Sequence, residues 1–278
     1  MKFIKMHGLG NDFIIVEDLQ GKVQLSDSQI QKLCHRNFGV GADGLVLILP
    51  SQKGDVRMRI FNSDGTEAEM CGNAIRCVAS HAYEMGLVDK EEVLVETQMG
   101  LNLTKIFLKG KQVDSVEVNM GEPVLDSQLV PAQGKDRLII MEDLVLNQLG
   151  LTFKITALSM GNPHCVIFVE DGEKMPFNEI GCQIEHHPFF PQKTNVEFVE
   201  ILSKREIKMR VWERGVGETL ACGTGACASV VASVLNNFTE RRVTVYLPGG
   251  QLEIYWNEED KTVFMKGPAE KVFSGEVL

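Results

Sequence analysis

The sequence predicts an α/β protein of the α+β type, made of two pseudo-symmetric halves. Each half is a curved, mostly antiparallel sheet wrapped around a central helix. Three observations predict this. First, landmarks recur at an offset of 151: Cys71-Gly72 with Cys222-Gly223, Gly10-Asn11 with Gly161-Asn162, Met58–Phe61 with Met209–Trp212, Glu67 with Glu218, and Leu101 and Leu103 with Leu252 and Ile254. One offset shared by separate landmarks indicates an internal duplication. Second, the stretch from Gly223 to Leu235 is apolar almost all round. Such a helix must be buried on every side. No run approaches the roughly 20 apolar residues of a membrane span, so strands must surround it. Third, the rest consists of short apolar or alternating runs separated by turn residues, the pattern of strands. The expected division is 1–120 with 268–278 returning to it, and 121–267.

Taken in order, Phe13–Val16 is a short buried strand near the glycine-containing run Gly8–Asp12. Ser26 to Cys34 predicts a helix, capped by Ser26 or Asp27, with Ile30 and Leu33 on its apolar face. Phe38–Gly44 is glycine-rich but lies after a helix and before the strand Leu45–Leu49, the wrong order for a dinucleotide fingerprint or P-loop. It reads first as a tight turn and second as a backbone wall of a site. Arg57–Phe61 alternates as a strand, and Asn62–Thr66 is a turn by composition. The helix after Cys71 runs to about Met85 and stops at Gly86. Further strands lie at 93–95, 101–103 and 116–118. Residues 121–151 read as a connector with one short strand, after which the first pattern begins again.

Net charge is −10, and no basic cluster occurs beyond short pairs such as Arg241-Arg242. A nucleic-acid surface needs clustered cations, so no nucleic-acid partner is expected. Nor is a membrane segment or a signal peptide. Seven cysteines without an export signal argue for reduced thiols. Zinc-ligand spacing is absent, so no metal is expected.

Cys71 and Cys222 each stand where a helix begins, before a glycine. The macrodipole and the first N–H groups of a helix lower a thiol pKa and bind anions such as a carboxylate. Two matched thiols with two anion cradles suit inversion of a carbon centre: one thiolate removes an α-proton and the opposite thiol returns one. The two are therefore expected to face one another as an acid/base pair. Cys34, Cys77, Cys165, Cys182 and Cys227 read as small buried hydrophobes. His164 reads equally as a core histidine or a site residue, and His186-His187 as a solvated turn. A redox protein using the two thiols, or a binding module for a small amino acid, would share these features.

Four runs resemble the diaminopimelate epimerase family: Gly8–Phe13; Asn62–Thr66 through Met70–Arg76; Ser159–His164; and Glu213–Gly215 through Ala221–Gly225. The resemblance spans essentially the whole chain. It is unlike proline racemases, which usually have histidine where Asn73 stands, and unlike phenazine-pathway isomerases, which lack the first cysteine. It implies a cofactor-free enzyme interconverting LL- and meso-2,6-diaminopimelate for lysine and peptidoglycan synthesis, cytoplasmic and homodimeric. By the same match Cys71 is the base toward the LL isomer and Cys222 toward the meso isomer. Asn11, Asn62, Asn162, Asn195, Glu213 and Arg214 would hold the substrate. Gly72-Asn73 and Gly223-Thr224 would bind the reacting carboxylate, and His164 and Glu213 would tune the site. Some members carry glutamine where this chain has Gly44, so a side-chain contact from that loop is not expected.

Overall fold

The computed structural model describes residues 1–277. In chain order the elements are β1 (Lys2–Gly8), β2 (Asn11–Glu17), α1 (Asp27–Cys34), β3 (Gly44–Leu49), β4 (Val56–Asn62), β5 (Glu67–Ala68), α2 (Gly72–Glu84), β6 (Glu92–Thr97), β7 (Gly100–Lys109) and β8 (Gln112–Asn119). Then follow β9 (Ile139–Leu146), β10 (Leu151–Ser159), β11 (Pro163–Phe168), α3 (Phe177–Glu185), β12 (Asn195–Ser203), β13 (Glu206–Glu213), β14 (Gly217–Thr219), α4 (Gly223–Leu235), β15 (Arg242–Leu247), β16 (Gly250–Trp256), β17 (Val263–Gly267) and β18 (Glu270–Glu276). The chain divides into two compact units. One is Met1–Asn119 with the segment from Lys266 onward; the other is Met120–Met265. Among the described residues no helix is long and apolar enough to cross a membrane.

In the first unit, α2 packs against β1, β2, β4, β6, β7 and β8. Every residue from Gly72 to Ala82 is buried, including Arg76, Ser80 and His81. In the second unit α4 packs against β10, β11, β12, β13, β15 and β16. Its residues Gly225 to Ser233 are all buried. Each helix is thus enclosed by strands, as the apolar surface of α4 demands; α2 is enclosed even though it carries Asn73, Arg76, Ser80 and His81. Ser233 donates to the Ser229 carbonyl, Arg76 Nη2 donates to Asn73 Oδ1 and Arg76 Nε to Pro268 O, and His81 Nε2 lies 2.7 Å from Glu17 Oε1.

The strand ladders show the duplication residue by residue. Parallel β2 and β3 pair Phe13 with Gly44 and Ile15 with Val46. Parallel β11 and β12 pair His164 with Asn195 and Val166 with Glu197, each residue 151 further on. The antiparallel pairs Leu45–Phe61 and Val196–Trp212 repeat the same way. So do Phe61–Glu67 and Trp212–Glu218. The ion pair Arg59–Glu67, at 2.8 Å, has its counterpart in Arg210–Glu218, at 2.7 Å.

Past the central helix the offset becomes 150. Six residues (236–241) separate α4 from β15, where seven (85–91) separate α2 from β6. The hairpins then pair Glu96 with Leu101 and Tyr246 with Gln251. Leu252 and Ile254 are therefore not the counterparts of Leu101 and Leu103. Burial agrees, since Leu252 and Ile254 are buried whereas Leu101 and Leu103 are exposed. The pairing register is the same in both halves. The one-residue-shorter connection only changes the sequence offset, so residues 151 apart in these strands sit on opposite faces, because side chains alternate.

The one strand expected within 121–151 is β9, eight residues long and paired along β10. Two other expectations change. Helix α3 was not foreseen, because Pro176 at its N-cap gives no side-chain capping bond. Its buried Phe177, Ile180 and Ile184 join a core with Phe190, Val196 and Phe198. Gly181 lets it close on Trp212, whose Cγ would lie 2.8 Å from an added Cβ. Cys182, on the outer face of α3, is exposed rather than buried. Helix α1 begins with a reciprocal Ser26–Gln29 capping box, and its buried residues are Ile30 and Cys34.

Candidate active site

Cys71 and Cys222 are each the N-cap of a central helix. Both have extended backbones, with φ of −149° and −119°. The first intrahelical bonds run from Ile75 N to Cys71 O and from Ala226 N to Cys222 O. The amides of Gly72-Asn73 and Gly223-Thr224 precede those bonds and so belong to the open first turns.

Around Cys71, the half-buried sulfur donates to Asn11 Oδ1 at 3.7 Å, and Asn73 Nδ2 donates to the same oxygen at 3.1 Å. Asn11 Nδ2 in turn donates to Asp43 Oδ2 at 2.9 Å. Asp43 stands in the glycine-rich loop, which an ionic network closes. Arg36 binds both Asp12 oxygens and Asp43, Lys5 reaches Asp12 at 2.6 Å and also donates to Gly41 O, and Asp43 N donates to Asp12. Burial works to raise the Asp12 carboxyl, but the bonds from Arg36 and Lys5 outweigh it and hold it well below the usual carboxylate range. The loop is thus both a turn and a brace for Asn11. Gly44 has no room for a side chain: a Cβ there would lie 2.5 Å from Phe61 O.

Around Cys222 the surroundings differ. The sulfur is buried, accepts from Gly225 N at 3.4 Å and lies 3.5 Å from Thr224 Oγ1. Those contacts favour a thiolate, as its helix position predicts. Burial outweighs them, aided by the charges of Glu213 and Glu197, and pushes the thiol well above its ordinary range. The expected lowering is therefore overturned here, because the sulfur is removed from water beside two carboxyls. His164 is fully buried; its Nδ1 lies 2.6 Å from Glu197 Oε1 and its Nε2 2.9 Å from Asn162 Oδ1.

The structure brings Asn11, Cys71, Gly72 and Asn73 together in the first unit. In the second it brings together Asn162, His164, Glu213, Cys222, Gly223 and Thr224. Asn62 ends β4 and is exposed, with Nδ2 donating to Thr66 Oγ1. Asn195 is buried and braces the backbone: Nδ2 donates to Pro163 O and Oδ1 accepts from Arg214 N. Glu213 accepts from Thr219 Oγ1. The Arg214 guanidinium is exposed and donates to Gln192 O at 3.1 Å. Glu185 of α3 pins the same turn through Gly215 N and Trp212 Nε1.

Asp43, Glu185 and Glu197 escaped sequence reasoning. Glu185 lies in the unforeseen helix, and Asp43 is an ordinary turn residue by composition. Glu197 carried a signal that the duplication makes visible: it stands where the first half has Val46. Among the described residues no group of three His, Cys, Asp or Glu is arranged to hold a metal ion.

Comparison with known proteins agrees with this architecture. The diaminopimelate epimerase family model matches residues 3–125 and 156–272. A diaminopimelate epimerase of Pelotomaculum thermopropionicum is 56% identical over 278 residues, covering 99% of this chain and 98% of that protein. One from Methanococcus maripaludis is 48% identical over 277 residues, covering 100% and 99%. Among solved structures, a Bacillus anthracis phenazine biosynthesis protein of the PhzF family superposes with a TM-score of 0.71 at 18% identity, covering 100% of this chain and 99% of that one. A hydroxyproline epimerase from Agrobacterium vitis gives 0.70 at 16%, covering 100% and 90%. These two share the fold; the family is shown by the full-length sequence matches, and the chain belongs to the diaminopimelate epimerase family.

Proposed function

We infer that the chain epimerises diaminopimelate between its LL and meso forms by a two-base mechanism in which Cys71 and Cys222 are the acid and the base. Epimerisation of diaminopimelate follows from family membership. The observation that supports the mechanism is the matched placement of the two cysteines, each the N-cap of the buried helix of its repeat.

In the LL-to-meso direction Cys71 removes the α-proton as a thiolate and Cys222 supplies one as a thiol; in reverse the roles exchange. The raised pKa of Cys222 suits it to rest as the proton donor. The open amides at the two helix mouths would hold the reacting carboxylate and stabilise the carbanion. Asn11 and Asn162 would complete the reacting end. Asn62, Asn195, Glu213 and Arg214 would shape the far end, Asn195 by holding the 213–215 turn. His164 and Glu213 would set the charge around Cys222. We further propose a cytoplasmic homodimer whose product serves lysine and peptidoglycan synthesis; this rests on the family resemblance. Sedimentation would show the dimer.

The test is Cys71→Ser and Cys222→Ser. A serine hydroxyl is far too weak an acid to replace a thiol, and loss of one acid/base group costs about 10²- to 10⁴-fold. Both variants should lose epimerisation by at least that factor while staying folded. Turnover at the wild-type rate in either one would refute the two-base mechanism.

A further inference from the structure

We propose that Glu197 is a positioning residue for the Cys222 half of the reaction: it shares one proton with His164, keeps that buried pair electrically neutral beside the sulfur, and thereby fixes the Asn162 amide. This rests on the reading of Cys222 as an acid/base group.

The first argument is a proton inventory. His164 lies between two oxygens, Glu197 Oε1 at 2.6 Å and Asn162 Oδ1 at 2.9 Å. An amide oxygen can only accept, so Nε2 carries a hydrogen. The short contact at Nδ1 needs a hydrogen as well, borne by the ring or by the carboxyl. The pair therefore holds two protons and no net charge, as imidazolium with carboxylate or as imidazole with carboxylic acid. The second oxygen, Glu197 Oε2, is buried with no hydrogen-bond partner. An anionic oxygen left so would be costly, and a shared or protonated carboxyl reduces that cost. Burial, the leading influence, pushes the Glu197 carboxyl up, in the same sense. The other titratable groups facing the pair are Glu213, Cys222 and Cys165.

The second argument comes from the duplication. The counterparts of His164, Glu197 and Gly225 in the first half are Phe13, Val46 and Ala74. Phe13, Val46 and Ala74 are all buried. The fold thus makes this layer from apolar groups and has no structural need of the polar pair. The change is concerted. A Cβ at Gly225 would lie 2.8 Å from Glu197 Oε1 and 3.3 Å from Cys222 Sγ. The methyl present at Ala74 is absent at Gly225, and the Glu197 carboxyl comes close to that place, near the sulfur. A Glu197 carboxylate alone would oppose thiolate formation at Cys222; the proton shared with His164 offsets that part of the rise and leaves burial and Glu213 as its causes.

The test compares Glu197→Gln with the double variant His164→Phe/Glu197→Val, which restores the first half's apolar layer. Solvent deuterium incorporation into each isomer is followed alongside epimerisation. The double variant should fold and lose epimerisation by about 10²-fold or more. It should still incorporate deuterium into the LL isomer through Cys71 but no longer into the meso isomer. Glu197→Gln can donate its amide N–H to His164 Nδ1, so it should stay within about tenfold of wild type and still label both isomers. Wild-type labelling of the meso isomer in the double variant would overturn the proposal. So would an equal loss of labelling in the two isomers, or a Gln variant as impaired as the double. Cys222→Ser separates the two levels. If it still exchanges the meso isomer, the reading of Cys222 fails; if it is inactive while the double variant is active, only the role of Glu197 fails.

Discussion

The Cys71 thiol has an oriented acceptor because an aspartate two steps away fixes which end of an amide faces it. Asp43 takes the Asn11 N–H, leaving Asn11 Oδ1 for the thiol and Asn73. Asp43→Ala should free the Asn11 amide to turn, lowering kcat/KM by about 10- to 100-fold, the range expected for losing a hydrogen bond to a charged group of about 1.5–3 kcal/mol. Asp43→Asn keeps an accepting oxygen and should lose less. Steady-state kinetics of the two variants decide it, and an Ala variant at the wild-type rate would remove Asp43 from the site. The neighbouring Gly44 makes a different prediction. With Phe61 O only 2.5 Å from a Cβ, Gly44→Ala should destabilise by about 1–3 kcal/mol through overpacking. Urea unfolding would measure this, and an unchanged midpoint would show that β3 and β4 can part at no cost. The cysteines and their glycines were legible from sequence because each sits in a recognisable local frame. Asp43 was not, since nothing in a turn's composition says which side chain its carboxylate will orient.

Each central helix carries its cysteine at the mouth and is held there by strands on all sides. Ile75, one turn beyond Cys71, is fully buried. Ile75→Ala should cost about 2–5 kcal/mol, because the surrounding strands cannot collapse onto the cavity. Equilibrium denaturation gives the number, and a cost below about 1 kcal/mol would mean the cage around α2 is loose. That α4 is buried could be read from its composition, for an apolar surface on every side has no other place to go. α3 was hidden for the converse reason: it has one apolar stripe, no capping side chain and a glycine in its middle. Glu197 lies between Val196 and Phe198, where a period-2 pattern taken alone would send a polar residue to a solvent face. β12 lies between β11 and β13 with both faces covered, so Glu197 is buried.

Across the whole chain several thiols are buried, and these make stability depend on alkaline pH. Burial pushes Cys34 up to about 11 and Cys77 up to about 12, and raises Cys165 and Cys222 well above their ordinary range. In the unfolded chain the same thiols ionise near pH 8.5. A folded pKa above the unfolded one means the native state binds more protons, so stability falls as pH rises. This contribution is complete below about pH 8.5. It is lost progressively as pH climbs toward the folded values, by about 1.4 kcal/mol per pH unit for each thiol still protonated in the fold. Unfolding free energy should therefore be level from pH 7 to 8 and decline above pH 9. Replacing Cys34 by alanine should make that decline shallower. Denaturant titrations between pH 7 and 10.5 on wild type and Cys34→Ala test both statements. A level profile to pH 10.5 would mean the buried thiols ionise in the native state as readily as in the unfolded chain. Alkylation offers a separate reading: exposed Cys182 should react well before Cys77 or Cys165, because only a thiolate in contact with solvent can attack the reagent.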